Sequence, residues 1–589
     1  MSFIAGSIDF NKDMTSSDII KKMSKAINYG SKTAYTDSCA ALLATDIATK
    51  NCYTAIFSGQ IYNLDEIIKK LSAKNYNFEN KSTAEIVLLA YIEWGKDCLA
   101  YFNGIFALAI WQAHSKNLFL ARDRVGAMPL YYYRHNSGIV FSSDIKILLE
   151  SGGIKREIDN YGLKQLLLLG PSKSIDTGII KGVKSLKMAN YLIFENNCLK
   201  EYSYWQIKAF KHTDDLAKTV EKTRYLIDNA IISQLKDCSC CMLSGGLDSS
   251  IISMVAARHY KGSKTLYTYS VDFLDNEKHF VKNSYQPSRD NIYIDLMQKF
   301  INSRHKYIFL DNLELAKSIT EAAYARRFPG MGDIDSSLLL FLQQIKKEHD
   351  ICLSGECADE LFGGYPWYQR DELLYKDTFP WSDATGLRVK LFKGANLEND
   401  ANEFVNAEYK KIINYTDYLD DDDKKDRRIR EMFMLNFYHF MQTLLERSMS
   451  MGKGCGMEVR TPFCDYRIVE YAFNMPWKYK ALGGREKGIV REAYKDLLPK
   501  DIVFRKKNPY PKTFSPIFSE YVITKAKQLI ADKNSILNLL VDKEFFEDLT
   551  YGRVKLDRPW YGQLMQVPQI FAYLIQLDAF FRNFNLQLV

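Results

Sequence analysis

The run Ser244-Gly245-Gly246-Leu247-Asp248-Ser249-Ser250 constrains this chain more than any other feature. It follows a short apolar stretch, Cys240 to Leu243, and opens a helical pattern from Ser249 to His259. That order reads as strand, tight turn, helix. A Gly-Gly turn lets backbone N–H groups approach an anion closely. The helix N-terminus adds unpaired donors and the positive end of its dipole. Ser244, Ser249 and Ser250 add hydroxyls. Asp248 cannot bind phosphate itself, but it can hold Mg2+, which then bridges phosphate oxygens. The Walker signature is absent, so the loop is not that of a P-loop NTPase. A plain helix cap accounts for one Ser and one Gly, not for two Gly, an Asp and three Ser together.

The rest of the chain agrees with a strand–helix alternation around this loop. Leu216–Lys236 and Ser336–Lys347 read as helices, and Thr265–Val271, Tyr307–Leu310 and Ile351–Leu353 as strands. Strands alternating with helices predict a parallel sheet with crossover helices. From about Asp371 onward the pattern is mainly helical. Before residue 205 the chain is different: short β-like runs at Tyr53–Phe57, Gly104–Trp111, Leu118–Ala121, Gly138–Ser142 and Tyr191–Phe194 are punctuated by Gly, Asn and Asp. The expected organisation is an α+β domain over 1–205, a linker near Asn196–Lys211, and an α/β domain with a helical extension over 206–589. The acidic run Asp420–Asp423 reads as a solvated loop or helix start.

Composition excludes several classes. The 589 residues carry a formal charge of +8, with Lys and Arg mixed among Asp and Glu, so no nucleic-acid face is indicated. No stretch reaches the roughly 18 apolar residues of a membrane helix. The start of the chain lacks a basic leader and does not read as a signal peptide. Eleven Cys, an odd number, read as free thiols in a reducing cytoplasm. Cys238, Cys240 and Cys241 lack a second Cys/His pair at zinc spacing and run into an apolar strand, so they do not read as a metal site.

The Ser244–Ser250 loop resembles the pyrophosphate loop of the N-type ATP pyrophosphatases, and the C-terminal half is similar to the asparagine synthetases. Five further segments carry that likeness in family order over about residues 205–570. They are Leu353-Ser354-Gly355-Glu356-Cys357-Ala358-Asp359-Glu360, Pro329-Gly330-Met331-Gly332-Asp333, Glu458-Val459-Arg460-Thr461-Pro462-Phe463, Gly484-Arg485-Glu486-Lys487 and Arg505-Lys506-Lys507-Asn508-Pro509-Tyr510. The resemblance implies a PP-loop parallel sheet of the adenine-nucleotide α-hydrolase kind. It implies an ATP-dependent carbon–nitrogen ligase that activates a carboxylate as an acyl-adenylate, releases pyrophosphate, and passes the acyl group to an amine. ATP would lie against Leu243, Ser244, Gly245, Gly246, Leu247, Asp248, Ser249, Ser250, Ser270, Val271, Ser354 and Gly355. Mg2+ would be shared by Asp248 and Asp359. Lys507, with Lys487 as a second candidate, would stabilise charge on the α-phosphate. Glu356 would take a proton from the attacking amine, and Glu360 reads as a helix cap only. Asp465 pairs with Arg460 or Arg467. Related enzymes are often dimers, so a homodimer is expected.

Residues 1–205 resemble the glutaminase domain of the same enzymes, an Ntn-hydrolase αββα sandwich, through Phe102-Asn103-Gly104-Ile105-Phe106-Ala107 and Ala121-Arg122-Asp123-Arg124-Val125-Gly126. Active members use an N-terminal Cys as nucleophile. Here Ser2 and Phe3 stand where the family has Cys-Gly. Ala41 stands for the substrate-carboxylate Arg, Ser58-Gly59 for the oxyanion Asn-Gly, Thr83 for the Asp that grips the glutamine amine, and Tyr29-Gly30-Ser31 for Arg-Gly-Pro. Losing all of these removes every polar contact a glutamine needs, so the domain is expected to be degenerate.

In a second departure the family's Asp-Arg-Met-Ser-Met-Ala becomes Arg447-Ser448-Met449-Ser450-Met451-Gly452, with about two residues inserted before Gly456. A Gly-rich insertion predicts an enlarged or loosened loop. The expected activity is synthesis of an amide on aspartate with free ammonia. A second reading is a natural-product ligase of the lasso-peptide cyclase or β-lactam synthetase design, which draws the amine from its own substrate. A third is a partner-binding pseudoenzyme, against which Asp248, Glu356, Asp359 and Lys507 argue.

Overall fold

The structure is a computed structural model that describes residues 2–27, 29–280 and 289–589. The chain forms two compact units. The first holds Met1–Asp159, Ile175–Gln206 and Gln587–Val589, and the second Asn160–Ser174 and Ile207–Leu586. The expected boundary at 205 lies beside the main crossing. It could not reveal that Asn160–Ser174 joins the second unit or that the last three residues return to the first.

Unit one stacks two six-stranded antiparallel sheets. One runs Val183–Ser185, Tyr131–His135, Gly138–Ser142, Ile4–Asp9, Ala40–Ala44, Thr33–Thr36. The other runs Cys198–Ser203, Asn190–Glu195, Asn117–Arg122, Gly104–Gln112, Tyr53–Ile61, Asp46–Lys50. The sheets meet through Phe10 stacked on Phe194 at 5.6 Å and the Trp111 indole N–H donated to Asp37 at 2.6 Å. Helix Thr83–Trp94 covers the second sheet over a core that includes Phe57, Leu88, Phe106 and Phe119, and Ile19–Lys25 and Ile145–Glu150 cover the first. This is the helix–sheet–sheet–helix sandwich. The buried central strands, such as Ala40–Ala44, are apolar throughout and lack the alternation that marks a strand in sequence.

The expected linker is in part a strand. Cys198–Ser203 pairs antiparallel with Asn190–Glu195, and Asn196 and Asn197 turn the hairpin with φ of 48° and 56°. It is the edge strand of its sheet and is largely exposed, with Lys200 and Glu201 at its centre.

Unit two is built on a five-stranded parallel sheet in the order Arg304–Leu310, Tyr267–Phe273, Cys240–Met242, Ile351–Leu353, Glu458–Arg460. Chain order reverses between Cys240–Met242 and Ile351–Leu353, and an open α/β sheet places its crevice at such a switch point. The two loops that leave the carboxyl ends of these strands are Leu243–Gly246 and Ser354–Cys357. Elsewhere the unit is mostly helical. The acidic run is more than a solvated loop: Asp423 caps helix Lys424–Leu435, and Asp422 pairs with the buried Arg430 at 2.8 Å. Asp465 pairs with Arg467 at 2.6 Å, while Arg460 pairs with Glu458. No helix among the described residues is long and apolar enough to cross a membrane.

Residues 447–455 are not a loosened loop. They lie in helix Met441–Cys455, and its glycines are contact points. A β-carbon on Gly454 would stand 2.7 Å from Ala325 Cβ of helix Ile319–Arg326, and one on Gly452 would stand 2.7 Å from the Met457 carbonyl oxygen. Tight helix packing requires glycine here. Gly454→Leu is therefore expected to cost about 1–3 kcal/mol of stability by overpacking. Thermal unfolding monitored by circular dichroism should show a lowered midpoint, and an unchanged midpoint refutes the close-packing account.

Candidate active site

The switch-point crevice holds a cleft of about 250 Å3. Of the nucleotide-binding and catalytic residues expected from sequence, Leu243, Ser244, Gly246, Leu247, Asp248, Ser249, Ser270, Val271, Ser354, Gly355, Glu356, Asp359, Lys487 and Lys507 line it. Gly245 and Ser250 do not. Gly245 has φ +67°, and a β-carbon there would lie 2.7 Å from Tyr293 Cβ, so it makes the turn and faces away from the cleft. Ser250 is fully buried one turn into the helix. The expectation that its hydroxyl serves an anion fails because residue 250 points into the core.

The loop is braced from within. Leu243 N–H donates to the Tyr269 carbonyl at 2.8 Å and so extends the sheet, and Ser270 Oγ donates to the Leu243 carbonyl. Ser249 Oγ accepts from Ser244 N–H at 3.2 Å and sits 3.0 Å from Ser244 Oγ. The two hydroxyls thus shape the loop. Helix Leu247–Tyr260 begins at Gly246 with no side-chain cap, which leaves its first N–H groups to the cleft.

Four charges from four segments form a chain across the cleft floor. Asp248 Oδ2 is 2.6 Å from Lys487 Nζ, and Lys487 Nζ is 2.8 Å from Asp359 Oδ1. The other Asp359 oxygen receives Lys507, whose ammonium lies 4.4 Å from the Tyr365 ring centre. Burial works to raise Asp359, but the ammonium groups of Lys487 and Lys507 override it and hold the carboxyl well below the usual range. Burial works to lower Lys487, and Asp248 and Asp359 together hold it above its ordinary value. Asp248 is pushed up, chiefly by burial, with Lys487 opposing and Asp359 adding. Asp248 Oδ1 is buried and accepts no hydrogen bond from the protein.

Two of these segments store backbone strain. Lys487 has φ +53° and Cys357 +79°, each costing on the order of 1–3 kcal/mol for a side-chain-bearing residue. The turn at Cys357 separates Glu356 from Asp359 and aims both into the cleft. Both Glu356 oxygens are engaged, one by Arg447 and one by Ser448 Oγ. The Arg-Ser pair that departs from the family pattern thus lands on the expected general base. Glu360 does not cap the helix. Its carboxyl accepts from Tyr365 Oη at 2.7 Å, and burial, with Asp359 beside it, pushes it up to about 7.

Sequence reading missed Arg505, Asp290 and Tyr510. Arg505 donates to the Ser244 carbonyl at 3.2 Å, pairs with Asp290 and lies 3.9 Å from the Tyr293 ring centre. It ties the Lys507 segment to the loop. Its place two residues before Lys507 in the same motif was the available signal, whereas Asp290 stands in no motif. Ser2, expected to stand at the family's nucleophile position in a degenerate site, accepts the Gly59 N–H at 3.0 Å and sits 3.2 Å from Ser58 Oγ. Ala41 is buried mid-strand, and Thr83 opens helix Thr83–Trp94 behind the Ser82 cap.

No three or more His, Cys, Asp or Glu side chains among the described residues are grouped to hold a metal ion. Asp248 and Asp359 are instead a pair of carboxylates in the first turns of two helices, Leu247–Tyr260 and Ala358–Phe362, and Asp248 Oδ1 is buried without a hydrogen bond. That donor set fits a hard divalent cation which takes its remaining ligands from phosphate oxygens and water.

The chain matches the glutamine amidotransferase domain over residues 46–205 and asparagine synthase over 222–580, more than half its length. It is 40% identical over 543 residues to the glutamine-hydrolyzing asparagine synthetase 3 of Bacillus subtilis, spanning 91% of this chain and 88% of that one. It is 25% identical to asparagine synthetase 1 of the same organism, over 78% of this chain and 76% of that one. Among solved structures, the glutamine phosphoribosylpyrophosphate amidotransferase of B. subtilis matches at 8% identity and a TM-score of 0.27, over 52% of this chain and 81% of that one, too weak a likeness to bear an argument. On the family match and the 40% relative, this chain belongs to the asparagine synthase family.

Proposed function

We propose that unit two is an ATP-dependent amide ligase that adenylates a carboxylate, by default the side chain of aspartate, and transfers the acyl group to ammonia. The alternating chain Asp248–Lys487–Asp359–Lys507 at the switch-point crevice is the observation that carries this reading. A triphosphate brings about four negative charges into the cleft, and two buried ammonium groups and a row of helix N–H donors meet them. A carboxylate oxygen attacks the α-phosphorus, the bond from that phosphorus to the bridging oxygen breaks, and pyrophosphate leaves. Lys507 steadies the charge that builds on the α-phosphoryl oxygens. The amine then attacks the acyl carbon, AMP departs, and Glu356 accepts the amine proton. Arg447 and Ser448 each occupy one acceptor site on a different Glu356 oxygen, which orients the carboxylate and leaves a lone pair on each oxygen for the amine proton. Mg2+ held by Asp248 and Asp359 would neutralise phosphate charge while ATP is bound.

Unit one does not supply the ammonia in this reading. The relatives are named glutamine-hydrolyzing, and residues 46–205 match the amidotransferase domain. Ser2 and Ala41 precede that match. Ala41 offers no cation for a substrate carboxylate, Thr83 no anion for its ammonium, and Ser58 replaces an amide donor with a hydroxyl. The second reading, an amine carried by the substrate itself, is favoured by the Arg447 and Ser448 contacts to Glu356, since these depart from the family at the acceptor end.

ATP–pyrophosphate exchange with Mg2+ across a panel of carboxylates tests the reaction. Exchange is expected with aspartate, and Asp248→Asn should lower it by roughly 100-fold or more. Exchange with an amino-acid derivative or peptide but not aspartate favours the second reading, and none with any carboxylate overturns both. For unit one, ammonium should support product formation, and glutamine should give no glutamate release beyond that of Ser2→Ala. Glutamate release that disappears in Ser2→Ala overturns the degenerate reading.

A further inference from the structure

We propose that Lys487 is the resident cation of this cleft and bars divalent metal from Asp248 and Asp359 until a nucleotide arrives. This deepens the proposed metal role of the two carboxylates and rests on it. The Lys487 ammonium bridges them, at 2.6 Å from Asp248 and 2.8 Å from Asp359, and its side chain is only 4% exposed. Two half-buried carboxylates facing one another repel and are partly stripped of water, so a cation between them compensates both. Lys487 supplies that compensation from within the chain.

The charge count sets the order of binding. With Lys507 on the second Asp359 oxygen, the four groups sum to zero. A bare divalent cation entering this cleft meets no net negative charge. To reach both carboxylates it must push Lys487 aside, leaving a buried ammonium beside a dication with no anion between them. A triphosphate reverses the balance. Its oxygens accept Lys487, freeing Asp248 and Asp359, and the metal enters as part of the nucleotide complex. The backbone is built for a lysine poised in this way. Lys487 holds a left-handed φ of +53°, and Gly488 packs so closely that a β-carbon would lie 2.3 Å from the Leu482 carbonyl oxygen. The alternative assignment, a static salt bridge, does not require metal and nucleotide to bind in order.

The test is Mn2+ uptake by the full chain, followed by the electron paramagnetic resonance signal of free Mn2+, with and without α,β-methylene-ATP. Wild-type protein is expected to take up Mn2+ only with the analogue. Lys487→Met should bind Mn2+ without nucleotide, with an affinity at least roughly tenfold above that of wild type, because it exposes an oxygen-donor pair suited to a hard dication. Lys487→Arg keeps the charge and should behave like wild type. Circular dichroism establishes that each variant is folded, and because the analogue itself complexes Mn2+, uptake is read against protein-free samples holding the same analogue. Mn2+ bound by wild type equally well without the analogue overturns the proposal, as does a folded Lys487→Met that gains nothing. No uptake by wild type even with the analogue is a different failure, since it overturns the metal reading itself.

Discussion

The catalytic unit is arranged around four charges, buried Lys487 and half-buried Asp248, Asp359 and Lys507, that compensate one another. Asp248, Lys487, Asp359 and Lys507 come from segments as far apart as the first loop of the sheet and the run before Pro509. Any one of them alone in that cleft would carry a desolvation penalty of several kcal/mol. Set in alternation, each compensates its neighbours, and the fold must bring four segments into register to achieve it. The same arrangement makes the cleft responsive. The four groups are neutral among themselves and strongly receptive to a polyanion that can share their ammonium groups.

The parallel sheet provides that register. Because chain order reverses between Cys240–Met242 and Ile351–Leu353, their loops diverge and leave a crevice. The Asp248 helix starts on one side and the Glu356–Asp359 turn on the other. Arg505 then ties the Lys507 segment to the first loop through the Ser244 carbonyl. Helix Met441–Cys455 can bring Arg447 and Ser448 to Glu356 because Gly452 and Gly454 let it pack close to its neighbours. A run that looks loose in sequence is therefore among the tighter contacts of the unit.

Unit one illustrates how separable fold and site are. Its sandwich is held by apolar strand interiors and by buried polar anchors such as Asp123, whose carboxyl accepts the N–H groups of Val125, Ala127 and Met128. None of these depends on the residues that would grip glutamine. Ala41 is fully buried in its strand, and Ser58 is as buried as the core around it. The architecture thus rests on contacts other than those at Ser2, Ala41, Ser58 and Thr83.

The sequence by itself determined the residue types and the loops. Two glycines, an aspartate and three serines between an apolar strand and a helix specify an anion cradle, because only that composition supplies free backbone donors and a nearby carboxylate. It also pointed to the parallel sheet and to the loop and lysine positions that line part of the cleft. Tertiary structure alone decided how those residues share their charges. It turned Ser250 and Gly245 away from the cleft, made Ser244 and Ser249 braces of the loop, and set Arg447 and Ser448 on Glu356. It also placed Lys487 between two carboxylates. The physical reason is range. Turn chemistry and helix capping act over a few residues and are written locally, whereas the pairing of charges in the cleft joins positions from 91 to 239 residues apart and depends on which segments the sheet brings together.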